Sequence, residues 1–181
     1  IKSVHDFVRR RDQAHQAISP QQLLDAIMPL VSLQARKLGI QVEIRLPDHL
    51  PTVLCDHTMV EQALLNLARN AMQAMDGAAA TDRRLVLQVR RASVSEHSAK
   101  TWLEFSVADR GTGISKDVAE QLFTPFFTTK KEGMGLGLSL CRTVVEQHGG
   151  ILWFEANVPQ GTIFKLTLPV YTGSPLQPAP T

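Results

Sequence analysis

Glu61-Gln62-Ala63-Leu64-Leu65-Asn66-Leu67-Ala68-Arg69-Asn70-Ala71-Met72-Gln73-Ala74-Met75 decides how the rest of this chain is read. Leu64, Leu67, Ala68, Ala71, Met72 and Met75 recur at steps of three and four, the spacing of a helix with one buried stripe. Asn66 and Asn70 stand four apart, one turn above each other on one side of that helix. Asparagine serves caps and turns better than helix interiors, so two stacked amides beside an apolar stripe ask for a reason. An amide oxygen is a neutral, hard ligand of the kind Mg²⁺ accepts while keeping its waters and the phosphates of a nucleotide. Solvent-facing filler is the alternative, and the helix by itself leaves both open.

Further along, Asp109-Arg110-Gly111-Thr112-Gly113-Ile114 follows an alternating strand with Leu103, Phe105 and Val107 on one face. A carboxylate at a strand end followed by two glycines offers one fixed acceptor and a backbone that a flat ligand can approach. Ordinary turn chemistry uses the same residues. Next come Phe123-Thr124-Pro125-Phe126-Phe127-Thr128-Thr129-Lys130 and then Gly133-Met134-Gly135-Leu136-Gly137-Leu138-Ser139-Leu140. The second glycine cluster opens a helix: Leu138, Cys141, Val144 and Val145 continue at helical spacing until Gly149-Gly150. Glycines leading into a helix N-terminus present unpaired N–H donors and the positive end of the dipole to an anion. No strand directly precedes the cluster, which excludes the dinucleotide fingerprint, and no Gly-Lys-Ser/Thr follows, which excludes a Walker A loop.

Taken in order and spacing, these four elements resemble the ATP-binding catalytic domain of sensor histidine kinases, in the GHKL or Bergerat-fold superfamily. Residues 61–71 match its N box, 109–113 its G1 box, 123–127 its F box and 133–137 its G2 box, and the resemblance covers roughly residues 20–170. The wording Phe-Phe-Thr-Thr-Lys, Gly-Met-Gly-Leu-Gly-Leu-Ser and Val-Glu-Gln-His-Gly-Gly is most similar to the oxygen- and C4-dicarboxylate-sensor branch.

Composition sets the frame for that resemblance. The 181 residues have room for one α/β domain with short appendages, and a hydrophobic content of 44% is ordinary for a globular core. A net charge of +2 is too slight to argue for nucleic acid, and Arg9-Arg10-Arg11 is the only basic run. No segment approaches the roughly 18 apolar residues of a membrane helix, and the first residue, Ile1, suggests a piece of something longer. Cys55 and Cys141 stand far apart without metal-ligand spacing, so reduced thiols are expected; Cys141 falls on an apolar stripe and reads as a small core residue.

Residues 1–17 carry helical spacing at Val4, Phe7 and Val8 and read as the end of a dimerisation or phospho-acceptor helix from an upstream domain. Residues 18–170 form the catalytic domain, and 171–181, with Gly, Ser and three prolines, a flexible tail or linker. Within the domain, Ser19-Pro20 caps and starts a helix to about Leu38, with Pro29 inside it as a possible kink and Gly39 closing it. Ile40, Val42, Ile44 and Leu46 alternate as a strand, residues 47–51 turn, and Asp56 caps the Asn66 helix. Residues around 85–89 and 103–107 read as neighbouring strands joined by a polar loop at 93–100. Residues 151–156 and 162–168 read as the last two strands, joined by the turn Val158-Pro159-Gln160-Gly161. Strands with helices on one side predict an α+β fold: a two-layer α/β sandwich in which a mixed sheet is packed on one face by helices.

The resemblance implies ATP and Mg²⁺ as cofactors and assigns roles by position. Asp109 would accept from the adenine amine, with Gly111, Gly113 and Ile114 beside the base. Thr162 would make a second contact on the adenine side; a plain β-branched strand residue is its alternative. Asn70 would coordinate Mg²⁺, and Asn66 would orient phosphate or a metal-bound water. Residues 115–134 would form a mobile lid anchored by Phe123, Phe126 and Phe127. Thr128, Thr129, Gly133, Gly135, Leu136, Gly137 and Leu138 would cradle the phosphates, and Lys130 would face the γ-phosphate; Lys131 reads equally as surface. In related ATPases a Glu at the position of Asn66 activates water; a neutral amide has no basic site near neutral pH, which spares the γ-phosphate for a histidine nucleophile. Asn66 and Lys130 are therefore the residues assigned to catalysis.

His5-Asp6 superficially resembles an acceptor site but lies too close to the domain, so the phospho-acceptor histidine is expected outside this chain. His148, at a helix C-terminus where the dipole favours a cation, reads as structural. The implied function is protein-histidine kinase in a two-component system, acting on its own dimerisation domain within a homodimer and serving a response-regulator receiver domain. The implied location is cytoplasmic, free or as part of a membrane-bound sensor. A nucleotide-binding regulatory module, or an anti-sigma-type protein kinase on the same fold, are the alternatives.

Overall fold

Ser19 begins the first helix with a reciprocal cap: its hydroxyl accepts from the Gln22 N–H at 3.2 Å, and its own N–H donates to Gln22 Oε1 at 3.0 Å. Helix α1 (Pro20–Leu38) runs from this cap without interruption through Pro29, which lies at an exposed position, and ends at Gly39 in the left-handed conformation. The computed structural model describes residues 15–77, 82–92, 101–125 and 137–173.

Seven strands and three further helices complete the described elements. They are β1 (His15–Ile18), β2 (Gln41–Arg45), β3 (Val53–Asp56), α2 (His57–Met75), β4 (Arg84–Arg91), β5 (Trp102–Ala108), α3 (Lys116–Gln121), α4 (Gly137–Gln147), β6 (Leu152–Ala156) and β7 (Thr162–Pro169). Five strands form one sheet in the order β2-β4-β5-β7-β6; β2 runs parallel to β4 and the remaining pairs are antiparallel. The sheet is mixed, as the sequence predicts.

Alternation decides which face the helices cover. Leu85, Leu87 and Val89 on β4, Leu103, Phe105 and Val107 on β5, and Phe164, Leu166 and Leu168 on β7 are all buried, at every second position. Against them pack Leu23, Leu24, Ile27 and Val31 of α1, and Leu64, Leu67, Met72 and Met75 of α2. The other face is polar and laced with ion pairs, Lys165 to Glu155 at 3.0 Å and Arg90 to Glu104. The result is the two-layer α+β sandwich expected. Ile44 departs from the expected alternation: it is 40% exposed because β2 is an edge strand.

A second, small sheet corrects the sequence reading of the N-terminal segment. Residues 15–17 are not helix end but strand β1, which pairs antiparallel with β3 from His15 opposite Asp56 to Ile18 opposite Val53. Backbone pairing with β3 overrides weak local periodicity here. Val4, Phe7 and Val8, on which the helical reading rested, lie outside the described residues, as do the loop at 93–100 and the tail from 174. At the other end the chain stays attached past residue 170: Val170 bridges Val53, and the Tyr171 N–H donates to the Thr52 carbonyl at 2.9 Å.

The Ser19 cap gives a direct test. Ser19→Ala should lower stability by about 1 kcal/mol, the usual cost of losing an N-cap, read as a shift in the urea midpoint with an unchanged slope. An unshifted midpoint would show that the cap contributes nothing to the folded domain.

Candidate functional site

Helix α2 is the ruler on which the site is laid out. Its buried set, Val60, Ala63, Leu64, Leu65, Leu67, Ala68, Ala71, Met72 and Met75, fixes its rotation on the sheet. Asn66 and Asn70 are thereby held half-buried on its flank, a turn apart. Two other segments meet α2 on either side of Asn70. A Cβ on Gly111 would sit 2.7 Å from the Ala74 carbonyl, so the turn after β5 presses directly on α2 one turn beyond Asn70. A Cβ on Gly137 would lie 3.8 Å from the Asn66 amide, so the start of α4 adjoins α2 one turn before Asn70. At 1.5 Å per residue the two meeting points are about 12 Å apart along the helix. Asn70 lies midway between them.

Asp109 stands at the first of these points. It is 2% exposed, and its Oδ1 accepts the Gly111 N–H at 2.8 Å and the Thr162 N–H at 3.2 Å. Burial pushes its pKa above the ordinary value, and the two N–H bonds pull it part of the way back. The β6–β7 turn builds this environment. Asn157 donates from Nδ2 to the Asp109 carbonyl at 2.8 Å, Gln160 donates to the Arg110 carbonyl at 2.9 Å, and Arg110 donates to the Val158 carbonyl at 3.0 Å. Gly161 has φ +107, and a Cβ there would meet the Asp109 carbonyl oxygen at 2.1 Å. Only glycine fits, and that close approach brings the Thr162 N–H to the carboxylate.

Helix α4 lies antiparallel along α2. Beyond the Gly137 contact, the Cys141 thiol donates to the Ala63 carbonyl at 3.4 Å and shares a hydrogen bond with the Asn66 side chain. Cys141 is 1% exposed, and burial pushes its pKa up to about 12, so it is the inert core thiol expected. At the far end of α4, His148 is structural, as expected, but not as a cation. Its Nε2 accepts the Asp56 N–H at 3.0 Å, which leaves Nδ1–H to donate to the Val144 carbonyl at 2.7 Å. That pair of bonds specifies a neutral ring, and burial lowers its pKa; it is not the cation that the helix dipole alone would favour.

The structure therefore brings together Asn66, Asn70, Asp109, Gly111, Gly137 and Thr162. Gly111 acquires a different role from the one implied: its missing side chain makes room for α2. Gly113, by contrast, has φ +83 and no backbone atom nearer than 3.7 Å to its Cβ position, so it remains open to a ligand. Ile114 and Leu138 are half-buried and pack partly on the core. The segment from residue 115 begins as ordered helix, α3, capped by the Ser115 hydroxyl on the Val118 N–H. Phe123 anchors on Phe154 with ring centroids 6.3 Å apart, under the Arg142 guanidinium. Phe126, Phe127, Thr128, Thr129, Lys130, Lys131, Gly133, Gly135 and Leu136 lie outside the described residues. Sequence reasoning missed Asn157 and Gly161, though an Asn and a Gly bounding a tight turn between two strands was the available signal. A cavity of about 210 Å³ at residues 19–21 and 46–50 shares none of these residues.

The chain matches the family described as histidine kinase-, DNA gyrase B-, and HSP90-like ATPase over residues 55–172. It is 37% identical over 169 residues to the sensor protein FixL of Bradyrhizobium diazoefficiens, covering 93% of this chain and 32% of that protein. It is 36% identical over 170 residues to the C4-dicarboxylate transport sensor protein DctS of Rhodobacter capsulatus, covering 94% and 25%. The chain thus spans a third or less of the length of these curated relatives. Among solved structures, the nucleotide-free catalytic domain of the histidine kinase ThkA superposes with a TM-score of 0.70 at 29% identity, over 86% of this chain and 95% of that one. Full-length ShkA in complex with AMPPNP superposes with a TM-score of 0.70 at 26% identity, over 90% and 32%. Among the described residues no helix is long and apolar enough to cross a membrane.

The buried carboxylate has a measurable consequence. Because its folded pKa is raised, Asp109 costs stability at neutral pH, and the cost disappears as pH falls through that raised value toward 3.8. Asp109→Asn should therefore be at least as stable as the wild type at pH 7, the gap closing in acid, as followed by thermal unfolding. A variant less stable by about 1 kcal/mol or more at pH 7 would mean that the bonds from Gly111 and Thr162 outweigh the burial.

Proposed function

The chain belongs to the histidine kinase-, DNA gyrase B-, and HSP90-like ATPase family, as a sensor histidine kinase catalytic domain, and from that premise we propose that it moves the γ-phosphate of ATP to a histidine carried elsewhere in its full-length protein. One observation carries this: α2 meets the Asp109 turn at Ala74 and the start of α4 at Asn66, with Asn70 between. A nucleotide laid along that interval has its base end at a buried acceptor and its phosphate end at a helix N-terminus.

Each residue then has a chemical task. The Asp109 carboxylate, its Oδ1 committed to the Gly111 and Thr162 N–H groups, would use Oδ2 to accept from the adenine amine. Thr162 would add a contact on the same side, and Gly113 would leave the backbone open to the base. Asn70 would ligate Mg²⁺ through its amide oxygen. The donor set suits that ion: among the described residues no cluster of His, Cys, Asp or Glu could hold a metal, and Mg²⁺ takes few protein ligands when phosphates supply the rest. Mg²⁺ when bound offsets phosphate charge. Lys130, with Thr128, Thr129, Gly133, Gly135 and Leu136, would close over the phosphates from the lid. Transfer needs little from the protein beyond positioning and charge stabilisation. Asn66, neutral and bonded to Cys141, has no capacity to take a proton from water.

The partners in this reading are the dimerisation domain of the same polypeptide within a homodimer, and a response-regulator receiver domain. The setting is the cytoplasm, and the related sensor kinases, three to four times longer, support the presence of such further domains.

Incubation with radiolabelled ATP and a separately produced acceptor-helix domain should yield acid-labile phosphohistidine. Asp109→Asn should weaken ATP binding roughly tenfold to a hundredfold, about 1.5–3 kcal/mol, by presenting a donor where the amine needs an acceptor. ATP binding without phosphohistidine would favour a regulatory module, and undiminished affinity in the variant would remove Asp109 from the base site. A second expectation concerns Asn66→Glu. The helix tolerates Glu well, and a carboxylate there should raise the ratio of free phosphate to phosphohistidine at saturating nucleotide. A constant ratio with normal ATP binding would show that Asn66 does not face the γ-phosphate.

A further inference from the structure

Three contacts set where α4 lies on α2. Gly137 abuts Asn66, Cys141 bonds the Ala63 carbonyl, and His148 bonds the Asp56 N–H, so α4 is pinned at its start, middle and end against successively earlier positions of α2 and its cap. Of the three, His148 is the longest reach in sequence and the most specific in geometry. Its ring joins the last turn of α4, through Val144, to the residue that caps α2, whose side chain accepts the Met59 N–H at 3.4 Å. Eleven helical residues separate this anchor from the Gly137 end, about 16 Å at 1.5 Å per residue. A small tilt at His148 therefore becomes a larger displacement beside Asn66.

The ring is covered by a residue from the entering chain. His15 of β1 stacks on His148 with centroids 4.8 Å apart and planes 7° from parallel, and β1 is held there by the register that sets His15 opposite Asp56. With this cover His148 is 7% exposed. We propose that His148 is a positioning residue that sets the register of α4 on α2, and that His15, by stacking on it, couples the strand entering the domain to the nucleotide site. The coupling rests on the ATP reading above; the register itself does not.

Protonation gives the lock a defined direction of failure. Nε2 is the acceptor for the Asp56 N–H, and a protonated ring would turn a donor toward a donor. The folded domain therefore holds His148 neutral: the stability it contributes is present above its ordinary value of 6.5 and is lost as pH falls through the lowered value. The charged groups facing the ring are His15 from β1, which disfavours protonation, and Asp56 at the end of β3, which favours it. Glu146 on α4 is engaged with Arg142, and His57 on the first turn of α2 with Glu61.

The test compares wild type with His148→Gln, His148→Phe and His15→Ala by two measurements. One is the alkylation rate of Cys141 without nucleotide at pH 7.5, resolved from Cys55 by peptide mass; the other is Mg²⁺-ATP affinity at pH 7.5 and 5.5. Gln can accept from Asp56 and donate to Val144, so His148→Gln should keep Cys141 protected and lose the extra weakening of ATP binding that the wild type shows at pH 5.5. His148→Phe should speed Cys141 alkylation tenfold or more and weaken ATP binding fivefold or more at pH 7.5. His15→Ala, which uncovers the ring and removes a group that disfavours its protonation, should move the pH-dependent weakening to higher pH. A folded His148→Phe with wild-type alkylation and affinity overturns the proposal. If His148→Phe does not fold, His15→Ala or His148→Gln with a pH dependence identical to the wild type overturns it. If no protein binds ATP, the nucleotide reading falls while the Cys141 rates still decide the register.

Discussion

The rotation of α2 is the constraint on which the rest depends. Nine buried side chains between Val60 and Met75 leave that helix one way to sit on the sheet, and the cost of turning even one large apolar residue out of the core is a few kcal/mol. Asn66 and Asn70 are consequently held at fixed positions on its flank. The Asp109 turn and α4 then take their places against α2, at Ala74 through a contact too close for any side chain on Gly111 and at Asn66 through ordinary van der Waals contact with Gly137. The site is thus a by-product of core packing: hydrophobic burial supplies the precision, and the polar groups need only be present on the flank.

Asp109 illustrates how binding capacity is set against stability. A carboxylate 2% exposed at the end of the central strand β5 is held by two backbone N–H donors, which is less than full hydration offers. The deficit leaves its affinity for protons raised and gives it a standing demand for one more donor. In the proposed reading, an adenine amine would answer that demand. The β6–β7 turn sustains the arrangement through Asn157 and Gly161, residues that touch Asp109 only by its carbonyl. A chemically simple pocket therefore depends on a turn about fifty residues away in sequence.

In the proposed reading, the amide at Asn66 would separate reaction types on one scaffold. Electrostatic positioning of a triphosphate is common to every nucleotide site of this shape, whereas water activation needs a base. Asn66 supplies hydrogen bonds and no base, and its partner in the structure is the inert Cys141 thiol. On that reading, the same face would hold phosphate without activating solvent, leaving it for a nucleophile supplied from elsewhere.

Much of this was legible in the residues taken in order. The two-layer arrangement followed from alternation in β4, β5 and β7, from the three-four spacing of α2 and α4 and from the end signals of α1, because burial of one face writes its period directly into the chain. Ser19, Asp56 and Gly39 marked helix ends through local capping, and Asn70, Asp109 and Thr162 were named as candidates through the family resemblance that the four motifs carry in order. What local sequence did not contain was any term linking distant segments. β1 and β3 are four residues each, and β3 has no clean alternation because Val53, Cys55 and Asp56 are all buried; pairing with one another is what makes them strands. The neutral state of His148 depends on an N–H ninety-two positions away, the proton affinity of Asp109 on its burial and on the Thr162 N–H of β7 that partly offsets it, and the role of Gly111 on the carbonyl of Ala74. The sequence by itself determined the helices and the alternating strands of the large sheet and their order, since these follow from periodicity and capping among near neighbours, and it pointed to candidate site residues only through the resemblance their motifs carry. Only the tertiary structure decided protonation states and close approaches, since both are set by the atoms that long-range packing brings within a few ångströms.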